Sequence, residues 1–241
     1  MKKKCIAVIL AAGQGKRMGT QIRKQYLELC SRPVLCYTVK AFEQSDIIDE
    51  IILVTGKGEK EYVRTEIVGK YRMHKVSKII EGGKERYDSV WNALSFIEEH
   101  YNTEHMMIFI HDGARPFADD EMIRRTYEAA GKYGACVAGM PVKDTIKIVN
   151  EEKEAIETPN RQKLWMVQTP QVFTASLIIE AYKKMMEVPH DHVTDDAMAV
   201  ETMMGYPVKL VEGSYENIKI TTPEDMEIAE VFVRRKKLEN I

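Results

Sequence analysis

The feature that most constrains the fold is a regular alternation of short apolar runs with amphipathic segments. Cys5 to Leu10, Ile51 to Val54, Met106 to Ile110 and Ala135 to Val142 read as buried strands. Between them, Leu35, Thr38, Val39 and Phe42, and later Val90, Ala93, Leu94 and Ile97, recur at helical spacing. Pro33 suits a first helical turn, and Asp119-Asp120 can cap a helix carrying Met122, Ile123 and Tyr127. Strands that alternate with helices build a mostly parallel sheet with helices on both faces, so the expected fold class is α/β. The 241 residues suit one large domain of this kind or two small ones, and no repeat or linker divides them.

In such a sheet, ligands collect at the carboxyl ends of the strands, and the unusual residues of this chain cluster there. After the first apolar run comes Leu10-Ala11-Ala12-Gly13-Gln14-Gly15-Lys16-Arg17-Met18-Gly19, with Lys24-Gln25 beyond. Small residues let backbone N–H groups close on a ligand, and Lys16, Arg17 and Lys24 surround it with positive charge, which is how a polyphosphate is held. The Walker pattern is a weak reading because Gly15-Lys16 is followed by Arg17 rather than Ser or Thr. The dinucleotide fingerprint is disfavoured because Met18 stands where its third glycine belongs. An ordinary tight turn with solvated lysines is the remaining alternative for this loop.

Four further segments extend the candidate site. Gly82-Gly83 opens a helix that carries Ser89 one turn in, within reach of a base or ribose. His111-Asp112 ends an apolar strand; an acid is costly there unless used, and its natural work beside phosphates is to hold a divalent cation, magnesium. Thr145, Arg161 and Thr169 lie around a segment that breaks the strand–helix pattern, and arginine grips phosphate at two points. Thr194 reads as a helix cap, and Asn217 to Thr221 as an alternating strand directing Lys219 to one face. The pattern-breaking segment, 142–173, contains Thr145 to Val149 and Ala155 to Thr158 flanking a charged turn, which reads as a projecting β-hairpin. Such a hairpin has little core of its own and is expected to pack on another subunit. Thr222-Pro223-Glu224-Asp225 is a strong helix start.

Composition excludes other classes. A net charge of −2 argues against a dedicated nucleic-acid binder. No run is long enough to span a membrane, and the apolar run behind Met1-Lys2-Lys3-Lys4 is too short and interrupted for a signal peptide, so a cytoplasmic protein is expected. Cys5, Cys30, Cys36 and Cys136 have no metal-site or disulfide spacing and read as reduced thiols.

Taken together, LAAGQGKRMG with KQY, GGKERYDSV, HDGARP, PVKDTIK, QTPQVF, VTDDAMAVE and NIKITTPED resemble the family of 2-C-methyl-D-erythritol 4-phosphate cytidylyltransferases, over residues 10 to 225. The nearest alternative is the ribitol-5-phosphate cytidylyltransferases, and VTDDAMAVE looks like the methylerythritol branch. The resemblance implies a single Rossmann-like domain over 1–241 and a homodimer joined by the β-arm. It implies cytidylyl transfer from CTP to a polyol phosphate, with magnesium and release of pyrophosphate. By motif position, Arg17, Lys24 and Lys219 would neutralise charge at the reacting phosphates. Ala11, Ala12, Gly13, Gly15, Gly83, Ser89 and Asp112 would bind the nucleotide, with Asp112 on the metal. Thr145, Arg161, Thr169 and Thr194 would bind the acceptor, with Arg161 and Thr169 reaching its phosphate across the dimer. Two readings of other kinds remain: a nucleotide-binding regulator, which predicts damage to a cationic set that is intact here, and an NAD-dependent enzyme, which Met18 disfavours.

Overall fold

The computed structural model describes residues 3–15, 18–19, 23–190 and 192–238. In chain order its strands are β1 (Lys4–Ala11), β2 (Glu28–Leu29), β3 (Arg32–Pro33), β4 (Glu50–Thr55), β5 (Val76–Glu81), β6 (Met106–Asp112), β7 (Ala135–Pro141), β8 (Ile148–Val149), β9 (Ala155–Glu157), β10 (Trp165–Thr174) and β11 (Lys209–Glu212). The helices are α1 (Val34–Gln44), α2 (Lys60–Tyr62, continued by a π turn over Val63–Gly69), α3 (Arg86–His100), α4 (Asp120–Tyr133), α5 (Ala175–Met186), α6 (Asp196–Met204) and α7 (Pro223–Arg235).

Seven strands form one sheet in the order β11-β7-β10-β6-β1-β4-β5. All are parallel except β10, which runs against both β6 and β7. The alternation of side chains along β1 divides the core. Cys5, Ala7, Ile9 and Ala11 face α1 and α4, whereas Ile6 and Val8 face α3, α5 and α6. Both faces of the sheet are therefore covered, as the apolar runs of β1, β4 and β6 require: nearly every side chain in them is buried. A third cluster packs α7 against Leu29, Val34, Tyr37 and Phe117, and includes Met18 from the glycine loop and Ile220.

Helix signals in the sequence operate as physical chemistry demands. Asp119 caps α4 by accepting the Met122 N–H, and Thr222 and Asp225 form a reciprocal capping box at α7 with Pro223 in its first turn. Gly205 ends α6 in the left-handed region, at φ 58°. At α6, however, the cap is Asp195, which accepts the Met198 N–H, and not Thr194, whose hydroxyl is exposed and faces the Met198 sulfur. Residues 217–221 form no strand: the buried side chains are Asn217 and Ile220, three apart rather than two, with Lys219 exposed between them, and the segment is tied to the body by a bond from Ile220 N–H to the Ala114 carbonyl.

The arm is narrower than the segment 142–173. Its hairpin is β8 paired with β9, and the segment then returns into the body as β10, a central strand of the main sheet. Ile148, Val149 and Ile156 on the hairpin and Met166 and Val167 at its base are exposed.

Candidate active site

Sheet register gathers the site. Leu10 pairs with Asp112 across β1 and β6, Ala11 with Thr55 across β1 and β4, and Thr55 with Glu81 across β4 and β5. The turns after β1, β5 and β6 thus emerge along one edge, and antiparallel β10 starts at that same edge.

The turn after β1 is shaped by residues a dozen positions downstream. The buried Gln25 amide donates to the Ala11 carbonyl at 2.5 Å and to the Gly13 carbonyl at 3.2 Å. Arg23 donates to the Ala12 carbonyl at 2.6 Å and is itself held by Glu59 at 2.5 Å. Carbonyls drawn toward Arg23 and Gln25 are turned from an incoming polyphosphate, which leaves the N–H side of the loop for the anion. Gly15 sits at φ 65°, and a Cβ there would lie 3.2 Å from the Lys24 nitrogen and 3.3 Å from its Cγ, so Lys24 packs directly against the loop. Lys16 and Arg17 lie outside the described residues.

Gly82 brings a second loop onto the first. A Cβ on it would lie 2.6 Å from the Ala12 Cβ and 2.5 Å from the Ser89 Oγ. Ser89 is buried; its Oγ accepts the Gly83 N–H at 3.1 Å and donates to the Glu85 carbonyl at 3.1 Å. Its one proton is committed to the turn, so toward a base or ribose it offers only an acceptor lone pair.

Asp112, at the end of β6, is the electrostatic centre. Its Oδ2 lies 2.9 Å from the Lys219 ammonium and 3.5 Å from Arg115 Nε, and its Oδ1 lies 3.5 Å from Arg86 Nε. Burial would raise its pKa; Lys219, then Arg86 and Arg115, overcome that and hold the carboxyl far below the usual carboxylate range. Lys219 therefore reaches the site from an extended loop rather than a strand. The neighbouring His111 is completely buried against Phe42, which pushes its pKa down to about 4. Its Nε2 lies 3.1 Å from the Arg115 carbonyl, so that nitrogen carries the proton and closes the turn after Asp112. Arg115 in turn donates to the Asn217 carbonyl at 2.8 Å, tying the Lys219 loop to the same turn.

The acceptor-side residues separate into two groups. Thr169 lies in β10, buried, and its Oγ1 accepts the Asp112 N–H at 3.1 Å, which places it beside the chain's own Asp112. Thr145 and Arg161 lie on the arm, exposed, with Arg161 donating to the Lys143 carbonyl at 2.9 Å. Thr194 stands just ahead of α6.

Sequence reasoning missed Arg86 and Asp196. Arg86 makes a two-point bond to Asp196, at 2.8 and 2.7 Å, across 110 residues. Asp196 is wholly buried and also accepts from the Tyr182 hydroxyl at 2.5 Å. Both residues lie within motifs noted above, GGKERYDSV and VTDDAMAVE; nothing in the sequence shows that they meet. Arg23 and Gln25 were likewise visible only as neighbours of Lys24. The assembled site has three cations around one carboxylate, a glycine-lined edge and Lys24, which suits an anionic, phosphate-bearing ligand.

The chain matches the family model described as IspD, 2-C-methyl-D-erythritol 4-phosphate cytidylyltransferase, over residues 5–235. It is 52% identical over 229 residues to the protein of that name from Lachnospira eligens, covering 95% of this chain and 98% of the relative. It is 47% identical over 235 residues to the one from Alkaliphilus oremlandii, covering 97% of each. Among solved structures, the 4-diphosphocytidyl-2C-methyl-D-erythritol synthase of Anaerococcus prevotii superimposes with a TM-score of 0.83 at 33% identity, covering 97% of both chains. The Thermus thermophilus 2-C-methyl-D-erythritol 4-phosphate cytidylyltransferase does so with a TM-score of 0.74 at 30% identity, covering 97% of this chain and 100% of that one.

Proposed function

The chain belongs to the 2-C-methyl-D-erythritol 4-phosphate cytidylyltransferase family and transfers a cytidylyl group from CTP to methylerythritol phosphate in isoprenoid biosynthesis; on that premise we propose how its residues divide the work. A phosphate oxygen of the acceptor attacks the α-phosphorus of CTP in line. The new P–O bond forms as the bond from the α-phosphorus to the bridging oxygen breaks, and the electron pair leaves with pyrophosphate. The attacking oxygen is already anionic, so no protein nucleophile or base is required, and catalysis is positioning and charge stabilisation. Lys24, packed on Gly15, and Arg17 serve the triphosphate. Ala11, Ala12, Gly13, Gly15 and Gly83 take the nucleotide, with Ser89 holding the Gly83 turn. Lys219 answers the charge that grows on the α-phosphoryl oxygens. The observation that carries this reading is the convergence of Lys219, Arg86 and Arg115 on Asp112.

Enzymes of this family use divalent metal ions, and we assign magnesium here. Among the described residues there is no group of three or more His, Cys, Asp or Glu side chains able to hold a metal alone. A lone carboxylate completed by substrate phosphate oxygens is the donor set magnesium accepts, and Asp112 fits it. When bound, the ion would neutralise phosphate charge.

We further place the working enzyme as a homodimer. The exposed apolar residues of the arm, Ile156 above all at 66% exposure, support it. In that dimer Thr145 and Arg161 serve the partner's acceptor phosphate, with Thr169 and Thr194 supplied in cis. We place the enzyme in the cytoplasm: its four cysteines are free, three of them buried, which suits a reducing compartment. Among the described residues no helix is long and apolar enough to cross a membrane.

The test is pyrophosphate release from CTP and magnesium with methylerythritol 4-phosphate and ribitol 5-phosphate in parallel. Release with the first alone is expected, and release with ribitol phosphate alone would overturn the acceptor. Mixing inactive Arg161→Ala and Lys219→Ala proteins should restore part of the activity, because one site in the mixed dimer is intact; a mixture as dead as its components would remove Arg161 from the partner's site.

A further inference from the structure

Asp112 is the group through which the proposed metal is held, yet the structure leaves it in competition among cations. Two of the three, Lys219 and Arg115, meet Oδ2; the other oxygen, Oδ1, faces Arg86 Nε at 3.5 Å. That distance is too long for a strong charge-assisted bond, which would be about 2.7–2.9 Å. The reason lies on the far side of the same guanidinium. Both terminal nitrogens of Arg86 are drawn to Asp196 at 2.8 and 2.7 Å, and Asp196 is fixed in turn by the Tyr182 hydroxyl. The guanidinium thus stands between two acids, tightly bound to Asp196 and only loosely to Asp112.

The anchor is rigid. Asp196 opens α6, whose first turn is pinned to β10 by Gln171: its amide donates to Asp195 at 2.9 Å and its carbonyl accepts the Ala197 N–H at 2.9 Å. Arg86 opens α3 directly after the Gly82-Gly83 turn. The Arg86–Asp196 bond therefore joins the two helix starts that flank Asp112.

We propose that Arg86 and Asp196 are a positioning pair for the cytidylyl transfer. Asp196 holds the guanidinium back from Asp112 Oδ1, so that Oδ1 remains available to a divalent cation, while Arg86 fixes the carboxylate's orientation. This rests on Asp112 as the metal-holding residue. Without the Asp196 charge, Arg86 is free to close on Oδ1 and compete with the cation. Lysine cannot replace the arginine, since one ammonium cannot hold Asp196 at two points and face Asp112 as well. Outer-shell partners of metal ligands cost 10–100-fold in metal affinity or activity when removed.

The experiment compares Asp196→Asn, Arg86→Lys, Tyr182→Phe and Asp112→Asn with the unaltered enzyme. Manganese binding in the presence of CTP is followed by paramagnetic resonance, CTP binding without metal by calorimetry, folding by near-ultraviolet dichroism, and turnover alongside. Asp196→Asn is expected to stay folded, weaken manganese roughly 10–100-fold and change metal-free CTP affinity less than about threefold; raising the metal concentration should recover its turnover. Arg86→Lys should lower kcat by a similar factor without that recovery. Tyr182→Phe removes a bond to Asp196 but leaves its charge, so it should melt earlier yet keep manganese affinity. A folded Asp196→Asn protein that binds manganese normally, while Asp112→Asn does not, overturns the pair. Equal loss in Tyr182→Phe and Asp196→Asn would reduce Asp196 to a structural role and overturn it too. Unchanged manganese binding in Asp112→Asn would instead sink the metal assignment beneath it.

Discussion

Lys219→Ala separates a charge used in catalysis from one used in folding. Its ammonium lies 2.9 Å from Asp112 Oδ2, which at an effective dielectric near 20 amounts to about 6 kcal/mol of raw attraction. Most of this does not appear as stability. The Lys219 side chain is 39% exposed, so water already screens it, and Asp112 keeps Arg86 and Arg115 after the substitution. The expected loss is about 1 kcal/mol, or roughly 2–4 °C in melting temperature for a chain of this size. At the transition state the same charge meets oxygens whose charge is growing in a partly dry site, where one preorganised donor is worth about 3–4 kcal/mol, a hundred- to a thousandfold in kcat. Pyrophosphate release at saturating CTP, read beside a calorimetric melt, gives both numbers from one preparation. A folded variant with kcat within threefold of normal would refute the assignment. A melting temperature lowered by more than about 10 °C would show that Lys219 is chiefly a structural counter-charge.

Two further expectations come from buried groups. His111 has a pKa pushed down by burial to about 4 against an ordinary value of 6.5. The folded state thus refuses a proton that the unfolded chain accepts, and the associated stability, about 3 kcal/mol at most, is fully present above pH 6.5 and lost as pH falls toward 4. A His111→Gln protein should show a shallower loss of stability across that window in urea titrations, and an unchanged slope would rule His111 out as its source. Gly82→Ala would drive a methyl group into Ser89 and Ala12. It should cost about 1–3 kcal/mol by overpacking and weaken CTP binding measured by calorimetry; normal binding would mean that the two glycine loops need not touch.

How much of this was legible in the sequence depends on the range of the interaction. The core strands were legible because burial on both faces forces continuous apolar runs, as in β1 and β6. Capping was legible to within one position: threonine and aspartate cap by the same bond, so Thr194 and Asp195 could not be told apart without knowing which oxygen faces the Met198 N–H. The role of β10 was not legible, since its apolar first residues, Met166 and Val167, are exposed while the polar Gln168, Thr169 and Gln171 are buried, and only pairing with β6 and β7 shows that it leaves the arm and enters the sheet. β11 escaped notice because it is a four-residue edge strand, mostly exposed. The Lys219 segment looked like a strand because polar and apolar residue types alternate along it, whereas burial falls on Asn217 and Ile220, three apart. Arg86 with Asp196 was beyond reach, being 110 residues apart with no local signature.

The way Gln25, Arg23 and Glu59 grip the carbonyls of Ala11, Ala12 and Gly13 bears on protein engineering. Copying the ten-residue glycine stretch into another α/β scaffold would move the letters without the shape, since the clasp that sets its backbone is borne by other parts of the chain. The smallest portable unit runs from β1 through the Lys24–Tyr26 turn and must bring its own counterpart to Glu59, which stands at the start of α2 beyond the neighbouring strand. A graft lacking that partner should leave Arg23 to solvent and the loop to collapse onto its own glycines.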